Sequence, residues 1–268
     1  MTDDQNATLS KVPTVTMGFW AIKILATTFG ETAGDSVSMS WLGETTADAP
    51  TSFWLGGYLV GTGIFATMLA ALVFIQIRAR RFNPWLYWAT IIASTTAGTT
   101  MADFATRSLG IGYPGGSLLL LAAVLASLFV WHRALGSVSV ESLHDPRAEL
   151  YYWITITFSQ TLGTALGDWV ADGPLGYLGS AVIFGSALAV IAMAHASRTV
   201  SRVVLFWAAF ILTRPLGAVV GDFLDKPLSK GGLALSRVGA SAVLAFAIIT
   251  LIVLVRQRGA PSDRAGEF

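Results

Sequence analysis

Four aspartates, Asp35, Asp103, Asp168 and Asp222, stand in apolar surroundings, each fifteen residues after a tryptophan: Trp20, Trp88, Trp153 and Trp207. A carboxylate in such a setting can bind a cation or a proton, act as a general acid or base, or pair with a fixed base. Between tryptophan and aspartate lie a glycine at +10 (Gly30, Gly98, Gly163, Gly217) and a small residue at +14 (Gly34, Ala102, Gly167, Gly221). Four copies of W-x9-G-x3-[GA]-D without slippage mark an internal repeat.

Counted from the tryptophan, positions +7, +11 and +15 lie about one helical turn apart and share one face. They read Thr27, Glu31, Asp35; Thr95, Thr99, Asp103; Gln160, Thr164, Asp168; and Arg214, Ala218, Asp222, so eleven of the twelve are polar. Position +8 adds Thr28, Thr96 and Thr161, with Pro215 as the exception. A polar stripe against lipid is costly, so this face should point into a bundle or line a water-filled path. The glycines belong to a neighbouring face and read as small-xxx-small packing.

The donors on the stripe are carboxylates, hydroxyls and an amide, hard oxygen ligands suited to Mn, Mg or Ca, or to Na and protons. The expected metal ligands are Asp35, Asp103, Asp168, Asp222 and Glu31, with the threonines and Gln160 along the path. Any such ion is cargo; no permanently bound cofactor is expected. Lys23, Arg214 and Arg237 are the expected counter-ions, three bases against five acids, and Pro215 is expected to kink its helix. Cysteine is absent, which removes thiolate metal sites and cysteine nucleophiles. No nucleophile constellation or metal-histidine motif accompanies the acids, so enzyme chemistry is not expected.

Composition places the elements that must carry these residues. Apolar residues make up 54% and charged residues 12% of the chain, and the mean hydropathy is +0.64. This predicts an all-α integral membrane protein. Eight spans are predicted, at about 14–37, 53–77, 85–109, 117–131, 151–170, 177–194, 203–224 and 233–255. Odd spans carry the acids, and even spans are nearly pure hydrocarbon. Residues 1–12 read as a disordered tail, 13–133 as a first half of four spans, 134–149 as a linker, 150–255 as a second half, and 256–268 as a loose tail.

Arginine and lysine concentrate in the tails and in the loops after even spans, which predicts cytoplasmic termini. Each odd span then begins at an interfacial tryptophan, and its aspartate lies about 22 Å further along. The four two-span units enter the membrane in one direction, as parallel repeats about an axis along its normal. The tyrosines that open even spans, Tyr58, Tyr113 and Tyr177, read as belt residues or as hydroxyls lining an outer vestibule. The net charge of +1 carries little information, and no basic run suggests nucleic acid. Lipid and the transported cation are the expected partners, and homo-oligomerisation is left open.

Four tandem units of this kind resemble the bacterial membrane-anchored proteins built from a repeat of unknown function. KVPTVTMGFWAIKILATTFGETAGD, residues 11–35, is the most specific stretch, and the repeats cover about 13–255. The resemblance implies architecture and inner-membrane location. GETAGD also resembles the E-x-G-D motifs of small divalent-cation exporters, with E-x-x-G-D spacing here. The expected function is therefore cation transport, metal efflux through a central carboxylate site. Proton- or sodium-coupled transport of another solute, intramembrane acid/base catalysis, and a structural or sensor role are the alternatives.

Overall fold

The computed structural model describes residues 9–44, 56–140, 143 and 145–261. Residues 1–8, 45–55, 141–142, 144 and 262–268, which include most of both tails, part of the loop after the first span and the start of the second, lie outside the described residues. Eight helices run through the described chain: α1 (Met17–Asp35), α2 (Gly57–Arg78), α3 (Pro84–Asp103), α4 (Gly112–Leu135), α5 (Pro146–Ala171), α6 (Gly176–Ser197), α7 (Arg202–Asp225) and α8 (Arg237–Leu254). The sequence marks their starts. Thr16 accepts a hydrogen bond from the Phe19 amide to begin α1, while Asn83 before Pro84 and Asp145 before Pro146 cap α3 and α5. Single π-helical stretches, Ser36–Trp41 and Phe104–Ser108, follow the repeat aspartate in the first two copies. Helix α7 continues through Pro215 without a break.

Helices α2, α4, α6, α7 and α8 are long and apolar enough to cross a membrane. The even helices are buried on one narrow side only; Leu118, Val182, Val243 and Phe246 are among their exposed apolar side chains. An outer surface of this kind belongs in hydrocarbon, and the chain is an all-α membrane protein. Helices α1, α3 and α5 fall short on hydropathy because they carry the polar stripe, and they lie inside.

The odd helices form a closed ring in which α1 packs on α3, α3 on α5, α5 on α7 and α7 on α1. Each even helix packs mainly on the odd helix that follows it: α2 on α3, α4 on α5, α6 on α7, and α8 back on α1. Every unit is thereby clasped by its neighbour, and the last closes on the first.

The terminal segments are not loose throughout. Strand β1 (Leu9–Pro13) pairs antiparallel with β2 (Gly259–Pro261), and Lys11 lies 2.6 Å from Glu149 while donating to Ile77 O. Val12 and Ala260 are buried here, which gives both ends an apolar anchor. In the 134–149 linker, Val140, Leu143 and Ala148 pack into the main core. Three of the four repeat tryptophans are buried in protein instead of facing an interface, and Trp20 is partly buried against them. Trp88, Trp153 and Trp207 are buried with Phe19, Tyr87, Trp131, Tyr152, Phe206 and Phe210 in an aromatic collar at the terminus-bearing end of the ring. Collar and polar stripe fill the ring interior in succession.

Candidate functional site

The repeat glycines set how closely the ring helices approach. A Cβ built on Gly30 would collide with Thr95, one on Gly163 with Arg214, and one on Gly217 with Thr27; on Gly98 it would lie 2.9 Å from Gln160. In every copy the +10 glycine therefore meets the +7 residue of the next copy, and the fourth meets the first. One turn on, Gly34 meets Thr99, Gly167 meets Ala218 and Gly221 meets Glu31, so +14 meets +11 by the same rule. Small residues here let adjacent helices bring their stripes onto a common axis.

All twelve +7, +11 and +15 residues are buried. At the +11 level the axis is occupied by a side chain from the +7 level. Arg214 Nη2 lies 2.8 Å from Glu31 Oε2 of α1 and 2.6 Å from Thr99 Oγ1 of α3, and it also donates to Thr164 Oγ1 of α5. A single nitrogen within reach of three other ring helices sits at their centre.

The aspartates form the next level, and two bases divide them. Arg107 lies 3.0 Å from Asp103 and 2.9 Å from Asp168; Lys226 lies 3.0 Å from Asp35 and 2.9 Å from Asp222. Each base stands four residues after the aspartate of its own copy and reaches the aspartate of the next, so the four carboxylates make two clamps rather than one shared ring. Arg107 also donates to the hydroxyls of Tyr58 and Tyr113, and Tyr113 donates to Asp172. Those two tyrosines thus line the charged end of the bundle instead of serving only as belt residues. Arg107 and Lys226 were not among the expected counter-ions, although the i,i+4 spacing D-x3-[RK] was the available signal.

Among the expected counter-ions, Arg214 pairs with Glu31 and lies on the axis. Arg237 pairs with Asp225 at 2.8 Å rather than with a repeat aspartate, because α8 begins beside the end of α7. Lys23 pairs with no carboxylate among the described residues: its Nζ lies 4.1 Å from the Phe210 ring centroid and has no hydrogen-bond partner. Its level is apolar, with Ile91, Ile156 and Phe210 as the +3 residues of the other copies.

The expected path residues also divide. Thr28, Thr96 and Thr161 return their hydroxyls to carbonyls four residues back on their own helices and offer no donor to the axis. Thr27 bonds Thr213 O across the α1–α7 contact. Thr99 and Thr164 stand at the Arg214 level, while Thr95 Oγ1 and Gln160 Oε1 are buried without a partner.

Of the five expected metal ligands, three come together. Carboxylate oxygens of Glu31, Asp168 and Asp222 lie within 4.8 Å of one another, all buried. Asp35 joins Asp222 and Asp225 in a second group of the same size, and Asp103 stays with Arg107. Asp168 Oδ1 and Asp35 Oδ1 lack any donor. Three negative oxygens this close repel unless a proton, a base or a cation lies between them, and their hardness suits the ions that carboxylates prefer.

Four tandem stretches, residues 18–82, 86–136, 151–200 and 205–260, match the model of a family described as Repeat of Unknown Function (DUF347). Each match takes in one odd and one even helix. No curated protein and no solved structure matches the chain.

Proposed function

Given that the chain belongs to the family of this Repeat of Unknown Function (DUF347), four copies of which span most of it, we propose that it is a cation transporter. Its substrate is a hard cation, manganese, magnesium or calcium, with sodium the monovalent case. The observation that carries this reading is the buried trio Glu31, Asp168 and Asp222 with oxygens within 4.8 Å, one side chain from each of three ring helices. Arg214 is its tethered counter-ion, holding Glu31 while the trio is empty and yielding it when a cation enters.

On this reading all eight helices span the membrane. Helices α1, α3 and α5 have 19, 20 and 26 residues, about 28–39 Å at 1.5 Å each, enough to cross the hydrocarbon core. The cyclic glycine contacts support four parallel repeats about an axis along the membrane normal. The charge bias supports cytoplasmic termini with the aspartates in the outer half of the membrane, and the family resemblance supports an inner membrane. Ion flux in liposomes tests the reading: wild-type protein moves one of these cations, and the folded D168N/D222N variant does not. Equal flux from both would refute it.

A structural reading draws on the Arg107 and Lys226 clamps, which tie adjacent helices whether or not an ion binds. It differs in one respect: it requires no response to any cation.

A further inference from the structure

Lys23 is the buried base that the cation reading leaves without work. It is fully buried, its Nζ lies 4.1 Å from the centroid of Phe210, and nothing among the described residues accepts its hydrogen bonds. Guanidinium groups keep their proton in proteins, whereas a lysine amine can release and regain one. Phe210 stands one turn before Arg214 on α7, and the Arg214 side chain reaches on to the +11 level, so Lys23 at +3 lies two levels below the guanidinium that holds Glu31.

The groups around it are few. From α7 come Phe210 and, one turn on, Arg214; from α3 come Ile91 and Tyr87, whose hydroxyl pairs with that of Tyr152 on α5 at 2.7 Å. Helix α8 has no ionisable residue after Arg237, and on α1 the nearest acid is Glu31, two turns on. Between the Lys23 and Arg214 levels lie Thr95 Oγ1, Ser159 Oγ and Gln160 Oε1, all buried and without partners. Having no partners of their own, they are the groups that a water between the two levels would bond.

We propose that Lys23 carries the proton of a cation–proton exchange, linked to the carboxylate trio through Arg214; this rests on the cation reading of that trio. A cation among Glu31, Asp168 and Asp222 takes the carboxylate that balances Arg214. The unbalanced field of Arg214 then falls on Lys23, and the N–H bond breaks: Nζ keeps the electron pair, and a water molecule on the terminus-bearing side takes the proton as hydronium. When the cation departs, Arg214 recovers Glu31 and Nζ binds a proton from the opposite side. The linkage is reciprocal, so a proton on Lys23 weakens cation binding by the factor by which the cation weakens the proton.

The test uses purified full-length protein in weakly buffered detergent with a pH dye, titrated with the chlorides of Mn, Mg, Ca and Na, with binding read separately by thermal shift. Wild type should release about one proton per bound cation, and K23R and K23Q should bind the cation while releasing at least about tenfold fewer. K23R keeps the charge, so the result does not depend on K23Q folding. Binding without proton release in wild type, or undiminished release from K23R, overturns the role of Lys23 and leaves the cation reading standing. Absence of binding by wild type to every cation overturns both.

Discussion

Arg214 Nη2 lies 2.8 Å from Glu31 Oε2, where the first and last repeats meet, and both side chains are almost wholly buried. Breaking such a pair leaves an uncompensated charge inside, so E31Q should lose about 3–5 kcal/mol of stability. Replacing both partners removes the stranded charge, and E31M/R214M should recover much of that loss. Denaturant unfolding in detergent of the two singles and the double closes the cycle. Additive losses in the double would show that the two side chains do not work as a pair.

The ring contacts predict which glycines tolerate a methyl group. G163A and G217A drive a Cβ into Arg214 and Thr27, while a Cβ on Gly63 or Gly185 meets nothing within 4 Å. The first two should cost about 1–3 kcal/mol, and G63A and G185A should be neutral or slightly stabilising. Melting temperatures of the four variants in one detergent check this, and similar losses at all four would contradict the packing described.

Much of this geometry was legible in the chain, for a definite reason. The stripe Glu31–Asp35 and its counterparts could be assigned to a buried face because one turn separates +7, +11 and +15, and spacing alone fixes the face of a helix. Which helix faces which is set by packing between distant segments, so the meeting of Gly217 with Thr27 had no sequence signal short of assuming closure. Trp88 and Trp153 were misplaced at the interface because tryptophan suits both an interface and a core, and only the clasp of the even helices buries them. Arg107 and Lys226 were overlooked although Asp103 and Asp222 stand four residues before them, since both lie where a span gives way to a loop. Lys23 was assigned an acid partner on charge balance, but the apolar level formed by Ile91, Ile156 and Phe210 offers none.

Lys226 competes with a cation for Asp222 and Asp35, from which it lies 2.9 and 3.0 Å. K226Q removes that tethered competitor, and the account predicts tighter cation binding, by about tenfold for a loss of 1.4 kcal/mol of competition. Release from the tighter site should slow turnover in liposomes. Cation titration of variant and wild type decides it, and weaker binding by K226Q would make Lys226 a support of the site instead of a competitor.

At the terminus-bearing end, burial raises the Glu149 carboxyl from 4.5 to about 7, against the opposing pull of Lys11. The folded state thus holds this proton more tightly than the unfolded chain does. The stabilising contribution is full below about pH 4.5 and declines as pH rises through 7, where a buried carboxylate must ionise. E149Q should flatten the stability profile between these two values, as read from melting temperature against pH. An unchanged slope would show that Glu149 does not titrate in that window.

Thermal-shift titration with Mn, Mg, Ca and Na chlorides tests the carboxylate trio most directly, because an ion that binds only folded protein raises its stability by about 2.7 kcal/mol at a hundred times its Kd. The account predicts a saturable rise in wild type with at least one of these cations, lost in folded D168N/D222N and kept in a control such as G185A. No rise with any cation, or an equal rise in the double variant, would contradict it.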